Sequence, residues 1–136
     1  MAKTVCDLWN EFENKRIAAS INAEIERDIE DLEYDIFRHR EALQTLVVDN
    51  IDDIQKVGNK FVIIFKEYFE LYHLIYMDMP EGIEIYDNDC GLRISIKGDN
   101  PELLDEQFKK IIATVEAAIA DLQQKIETLN GRRRAS

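Results

Sequence analysis

Gly58-Asn59-Lys60-Phe61-Val62-Ile63-Ile64-Phe65 is the stretch on which the fold turns. Phe61 to Phe65 is the longest unbroken apolar run in the chain, built from the β-branched and aromatic residues that favour strands. Taken alone it is a strand. Taken with its neighbours it joins a longer pattern, because Val48, Ile51, Ile54, Phe61, Phe65, Tyr68, Tyr72 and Ile75 follow a helical period from about Asp49 to Met77. A repeat that carries on to Tyr76 is too long for a typical strand. The sequence therefore favours a second helix here, with Gly58-Asn59 as the place for a break.

Upstream lies a longer helical pattern, from about Thr4 to Leu43. Thr4 suits an N-cap, and Val5, Leu8, Trp9 and Phe12 open an apolar stripe. The stripe continues through Ile17, Ile21, Ile25, Ile29, Leu32, Ile36 and Leu43. The step from Phe12 to Ile17 is out of phase, so Asn14-Lys15-Arg16 marks a kink or break. Unbroken, such a helix is roughly 60 Å long at 1.5 Å per residue. Trp9 and Phe12 read as core at this spacing, the rival reading being an anchor for a partner's groove.

Downstream, Met79-Pro80-Glu81-Gly82 is a stop, and the period then changes to two. Ile83-Glu84-Ile85 and Leu92-Arg93-Ile94-Ser95-Ile96 flank a cluster of turn formers, which predicts a β-hairpin at about 83–97. Asn100 as N-cap and Pro101 at the first helical position start the last helix. Its stripe runs from Leu104 through Phe108, Ile111, Val115, Ile119, Leu122 and Ile126 to Leu129, and Gly131 ends it. The fold expected is mainly α with an α+β element: long antiparallel helices and one β-hairpin inserted before the C-terminal helix, in the order α-α-ββ-α. Residues 1–131 read as a single helical domain and 132–136 as a basic frayed tail. A lone hairpin is marginal in water, and three helices carry long near-heptad stripes. Both features point to a homodimer or higher oligomer.

Composition narrows the function. The chain has 136 residues, 46% apolar and 33% charged, with 17 Lys and Arg against 28 Asp and Glu and a net charge of −11. A free-standing nucleic-acid binder carries the opposite sign, because affinity comes from neutralising phosphates. No basic start leads into a secretory apolar run, and no run is long enough to span a membrane. Cys6 and Cys90 are too few for a disulfide scaffold. A cytoplasmic protein without direct nucleic-acid or membrane contact is the expectation.

The negative charge is concentrated. Glu24 to Asp35 holds seven acids against Arg27 alone, a local net of −6; Asp78 to Asp89 holds five acids and no base, a local net of −5. These two stretches account for the whole −11. Glu24, Asp28, Asp31 and Asp35 form one row flanking the apolar seam, and Glu26, Glu30 and Glu33 form another. Seven carboxylates over twelve residues is one charge per ~2.6 Å of helix, between duplex DNA at ~1.7 Å and a single strand at ~3.4 Å. A solvated helical surface accounts for such a face. The sharper reading is a docking face for a basic protein surface, such as the groove of a nucleic-acid-binding protein. Glu24, Asp28, Asp31, Asp35 and the hairpin acids Asp87 and Asp89 are its candidate residues. Asp87-Asn88-Asp89-Cys90-Gly91 lacks the pattern of a calcium-binding EF-hand loop.

Chemistry has little support. Glu70-x-x-His73 has the spacing of carboxylate-bridged metal sites on helices, but His39 offers no second copy and Glu67, Glu70 and His73 read as a polar helix face. His39, among Arg38, Arg40 and Glu41, reads as exposed. Glu30-x-x-Glu33 and Glu67-x-x-Glu70 resemble the paired carboxylates that hold Mg²⁺ in all-α nucleotide pyrophosphohydrolases. The resemblance ends there, because the second motif of that family closes on Asp. No phosphate loop, nucleophile elbow, HExxH or GxGxxG occurs. The reading is a non-enzymatic acidic interaction protein (a regulator, adaptor or inhibitor) with no cofactor. Its alternatives are a self-assembling structural helical protein and a carboxylate metalloenzyme of the pyrophosphohydrolase type.

Overall fold

The computed structural model describes residues 3–134. The first helix, α1, runs Val5–Thr45. It starts on a reciprocal cap: the Thr4 N–H donates to Asp7 Oδ2 at 3.0 Å, and the Asp7 N–H donates to Thr4 Oγ1 at 3.1 Å. Asn14-Lys15-Arg16 does not break it. Helical hydrogen bonding satisfies the backbone whichever way the side chains face, so a phase slip in the apolar stripe re-aims the surface without ending the helix.

The expected second helix is absent. The chain instead forms strand β1 (Ile51–Val57), strand β2 (Lys60–Phe65) and a 3₁₀ helix over Phe69–Tyr76. Gly58 and Asn59 make a two-residue turn with Gly58 at φ 61°. Among the described residues no non-glycine φ is positive, so this is the pattern of a type II′ hairpin with glycine first. The helical period read from 48 to 75 was assembled from four elements (a short 3₁₀ turn at Val48–Asn50, β1, β2 and the longer 3₁₀ helix) whose apolar positions fell in phase by coincidence. Within β2 the true period is two: Phe61, Ile63 and Phe65 are buried, while Val62 and Ile64 are half-buried.

The predicted hairpin forms as β3 (Ile83–Asn88) and β4 (Gly91–Lys97). It does not stand alone. β4 pairs antiparallel with β2, from Lys60 opposite Lys97 to Ile64 opposite Arg93, giving one antiparallel sheet of order β1-β2-β4-β3. The molecule is thus mixed α+β. The marginality of a lone hairpin, one ground for expecting a second chain, is resolved within the chain itself. The last helix, α2, spans Leu103–Asn130. Asn100 caps this region through its Oδ1, which accepts the Glu102 N–H at 3.0 Å. Pro101 lies in the turn before the helix rather than at its first position.

The residues gather into two compact units. One comprises the chain through Asp35 together with the chain from Asp121. In it α1 buries Ala18, Ile25 and Ile29. The basic tail makes contacts with α1 as far as Arg134. The Arg133 guanidinium pairs with Glu26 at 3.2 Å, Asn22 Nδ2 donates to the Arg134 carbonyl at 2.7 Å, and the Arg134 N–H donates to Asn22 Oδ1 at 2.8 Å. These bonds hold the tail antiparallel to α1. Ala135 and Ser136 lie outside the described residues.

The other unit, Ile36–Ala120, contains the sheet. Phe61, Ile63, Phe65, Ile83, Leu92, Ile94 and Ile96 are buried on one sheet face; Ala42 of α1, Leu46 just after it, Leu71 and Leu74 of the 3₁₀ helix, and Ile111, Val115 and Ile119 of α2 complete its core. Leu71 and Leu74 are three apart, the spacing that aligns side chains on a 3₁₀ helix. That shift of period moves the buried face away from Tyr68, Tyr72 and Ile75, which the helical reading had placed on it.

Candidate interaction surfaces

On α1 the seam and its flanks fall where the period puts them. Ile25 and Ile29 are buried, and Glu24, Asp28, Asp31 and Asp35 all stand exposed beside them. One face therefore carries the whole predicted row. Of the second row, Glu26 is spent on Arg133. Among the described residues Glu24, Asp28 and Asp31 form no ion pair, so the fold does not consume their charge.

The hairpin acids belong to the sheet-containing unit. Asp87 pairs with Leu92 one residue before the end of β3, and Asp89 sits in the turn, both exposed. Next to them stands an aromatic group that the sequence did not single out. The rings of Tyr68 and Phe69 stack with centroids 5.2 Å apart, and Tyr72 meets Tyr68 edge-on at 5.9 Å. The Tyr72 hydroxyl donates a hydrogen bond to Asp87. Its pKa is raised above 10.0 by desolvation first, then by the negative charge of Asp87, by Tyr68 and by that hydrogen bond. The Tyr68 ring also lies over Gly91, where a Cβ would come within 2.6 Å of the ring. The signal for this group was the aromatic density of Tyr68, Phe69 and Tyr72, which the helical reading assigned to a buried stripe. Phe69 is 71% exposed.

A third acidic surface surrounds an open depression of about 490 Å³ lined by Glu41, Asp49, Asn50, Glu67 and Glu70, among others. Asn50 ties its rim together: Nδ2 donates to the carbonyls of Thr45 and Glu67 at 2.9 and 2.8 Å, and Oδ1 accepts the Glu67 N–H at 3.0 Å. Glu67 and Glu70 thus come near Glu41 and Asp49, while Glu30 lies in the other unit. Among the described residues no group of three or more His, Cys, Asp or Glu is placed to hold a metal ion. His39 is not an exposed residue, as its basic neighbours suggested. It is half-buried, with its ring edge-on to that of His73 at 4.9 Å. Both cysteines are free and exposed.

Trp9 and Phe12 are not core. They are 57% and 49% exposed, and Val5 and Leu8 beside them are 85% and 39% exposed. Core packing needs a facing element, and the tail of α2 ends level with Asn22. Among the described residues no helix is long and apolar enough to cross a membrane. Comparison of the chain with known protein families, with curated proteins and with solved structures found no match.

Proposed function

We propose that the chain is a non-enzymatic acidic interaction protein that docks on a basic surface of a larger protein, acting as a regulator, adaptor or inhibitor. One observation carries this reading: Glu24, Asp28 and Asp31 project from a single face of α1 while the adjacent Ile25 and Ile29 hold the fold. Like charges at these spacings repel, each pair costing roughly 0.2–0.5 kcal/mol in an isolated helix. A face that only needed to be wet would interleave lysines. The charge density lies in the range of a nucleic-acid strand, which suits a groove that otherwise holds nucleic acid. Asp87 and Asp89, beside the half-buried Tyr68 and Tyr72 rings and the exposed Phe69, supply a second surface of the same chemistry, since guanidinium groups stack on aromatic rings while pairing with carboxylates.

The test is the fourfold variant Glu24→Lys, Asp28→Lys, Asp31→Lys and Asp35→Lys. Its binding to a labelled oligolysine peptide and its capture of basic proteins from the source cell are compared with the parent at two salt concentrations. The parent binds more weakly at high salt, and the variant loses at least tenfold in affinity at low salt. Equal low-salt affinity of the two proteins removes this row as the docking face.

A further inference from the structure

Val5, Leu8, Trp9 and Phe12 occupy positions i, i+3, i+4 and i+7 of α1. At 3.6 residues per turn they share an arc of about 100°, centred about 130° around the helix from Ala18, Ile25 and Ile29. The stripe is therefore a separate face, not the outer end of the buried seam. It is also a formed helix, capped by Thr4 and Asp7. Four of its charges pair locally, Lys3 with Glu11 at 2.6 Å and Arg16 with Glu13, and the Arg16 guanidinium lies 5.4 Å from the centre of the Trp9 ring.

The occupant follows from charge and area. Residues 3–16 hold three bases and three acids, a net of zero in a chain of −11. Two copies approaching by the Glu24–Asp35 faces repel; approaching by this segment they do not. Acids and bases both flank the apolar stripe, so the face is complementary to itself, as a two-fold contact requires. The exposed parts of these four side chains come to on the order of 400 Å² per copy, given ~150–250 Å² for a large aromatic residue. Doubled, and with the flanking side-chain stems added, the contact approaches the ~1,200 Å² lower edge of specific interfaces.

We propose that two copies of the chain associate through this stripe, the apolar face of residues 5–16 of one packing on the same face of the other. The dimer is weak and concentration-dependent.

Trp9 is the sole tryptophan, so its emission reports on this face alone. The full chain is examined by sedimentation velocity and tryptophan fluorescence from low to high micromolar concentration. The mass rises from one chain to two, and the emission shifts to the blue in step. Phe12→Asp raises the dimer dissociation constant at least tenfold and returns Trp9 to a water-exposed spectrum, with helical circular dichroism retained because Phe12 supports no core. Phe12→Leu keeps the dimer. A monomer with water-exposed Trp9 throughout overturns the proposal and leaves the stripe to a groove on another protein. So does a dimer that Phe12→Asp does not weaken. The fourfold lysine variant leaves the dimer intact, so the two docking faces fail or stand independently.

Discussion

At Gly58 a Cβ would meet nothing within 4 Å, and at Gly91 it would come within 2.6 Å of the Tyr68 ring. Both glycines have positive φ, 61° and 112°. The first substitution therefore measures backbone strain alone, and the second adds displacement of an aromatic group. Gly58→Ala is expected to cost about 1 kcal/mol, and Gly91→Ala about 1–3 kcal/mol, in that order, by urea denaturation. Tyr72 offers a test of the hairpin's electrostatics. Its raised pKa means the folded state holds the phenol proton more tightly than the unfolded chain does. The stabilisation is complete below about pH 10, the ordinary tyrosine value, and is lost as pH rises through the folded value. Asp87→Asn removes a charge and weakens a hydrogen bond, so spectroscopic phenolate titration shows one tyrosine moving down toward the ordinary range. A titration identical to the parent's contradicts the Tyr72–Asp87 contact.

The seam of α1 is the element whose sequence and structure agree most fully. Ile29 is 7% exposed, so Ile29→Ala is expected to cost about 2–4 kcal/mol, seen as a lower urea midpoint. Truncating Ile17, 48% exposed, leaves the midpoint within about 0.5 kcal/mol. The helix was legible here because a single 3.6-residue period from Ile17 to Leu43 has no competing explanation, and the β3–β4 hairpin because its period of two follows the stop at Pro80-Glu81-Gly82 and is centred on the turn formers Asp87–Gly91. β1 and β2 were hidden for a physical reason. Strand identity is set by partners distant in sequence, and β2 draws half of its pairing from β4, some thirty residues on. The period from Ile51 to Ile75 described no continuous surface.

Across the whole molecule, a net charge of −11 opposes compaction. Raising the ionic strength screens that repulsion over a Debye length of about 10 Å at 0.1 M, so the thermal midpoint is expected to rise by several degrees between low and moderate salt. A flat response means the acids are neutralised within the fold. The acidic row was legible because a helix converts spacing directly into a face. The aromatic group and the exposed N-terminal stripe were not, since burial depends on which element stands opposite, and periodicity cannot say where α2 ends. One feature of the sheet bears on handling. β1 is an edge strand, exposed along nearly its whole length, with Asp52, Asp53 and Lys56 on it and a register irregularity between Ile51 and Asp53. Behind it lies Phe61-Val62-Ile63-Ile64-Phe65, a segment of the composition that stacks into amyloid. Those three charges are gatekeepers. The variant with all three neutralised is expected to seed thioflavin-positive fibrils on prolonged warming sooner than the parent, growing from the edge of the sheet rather than from either helix.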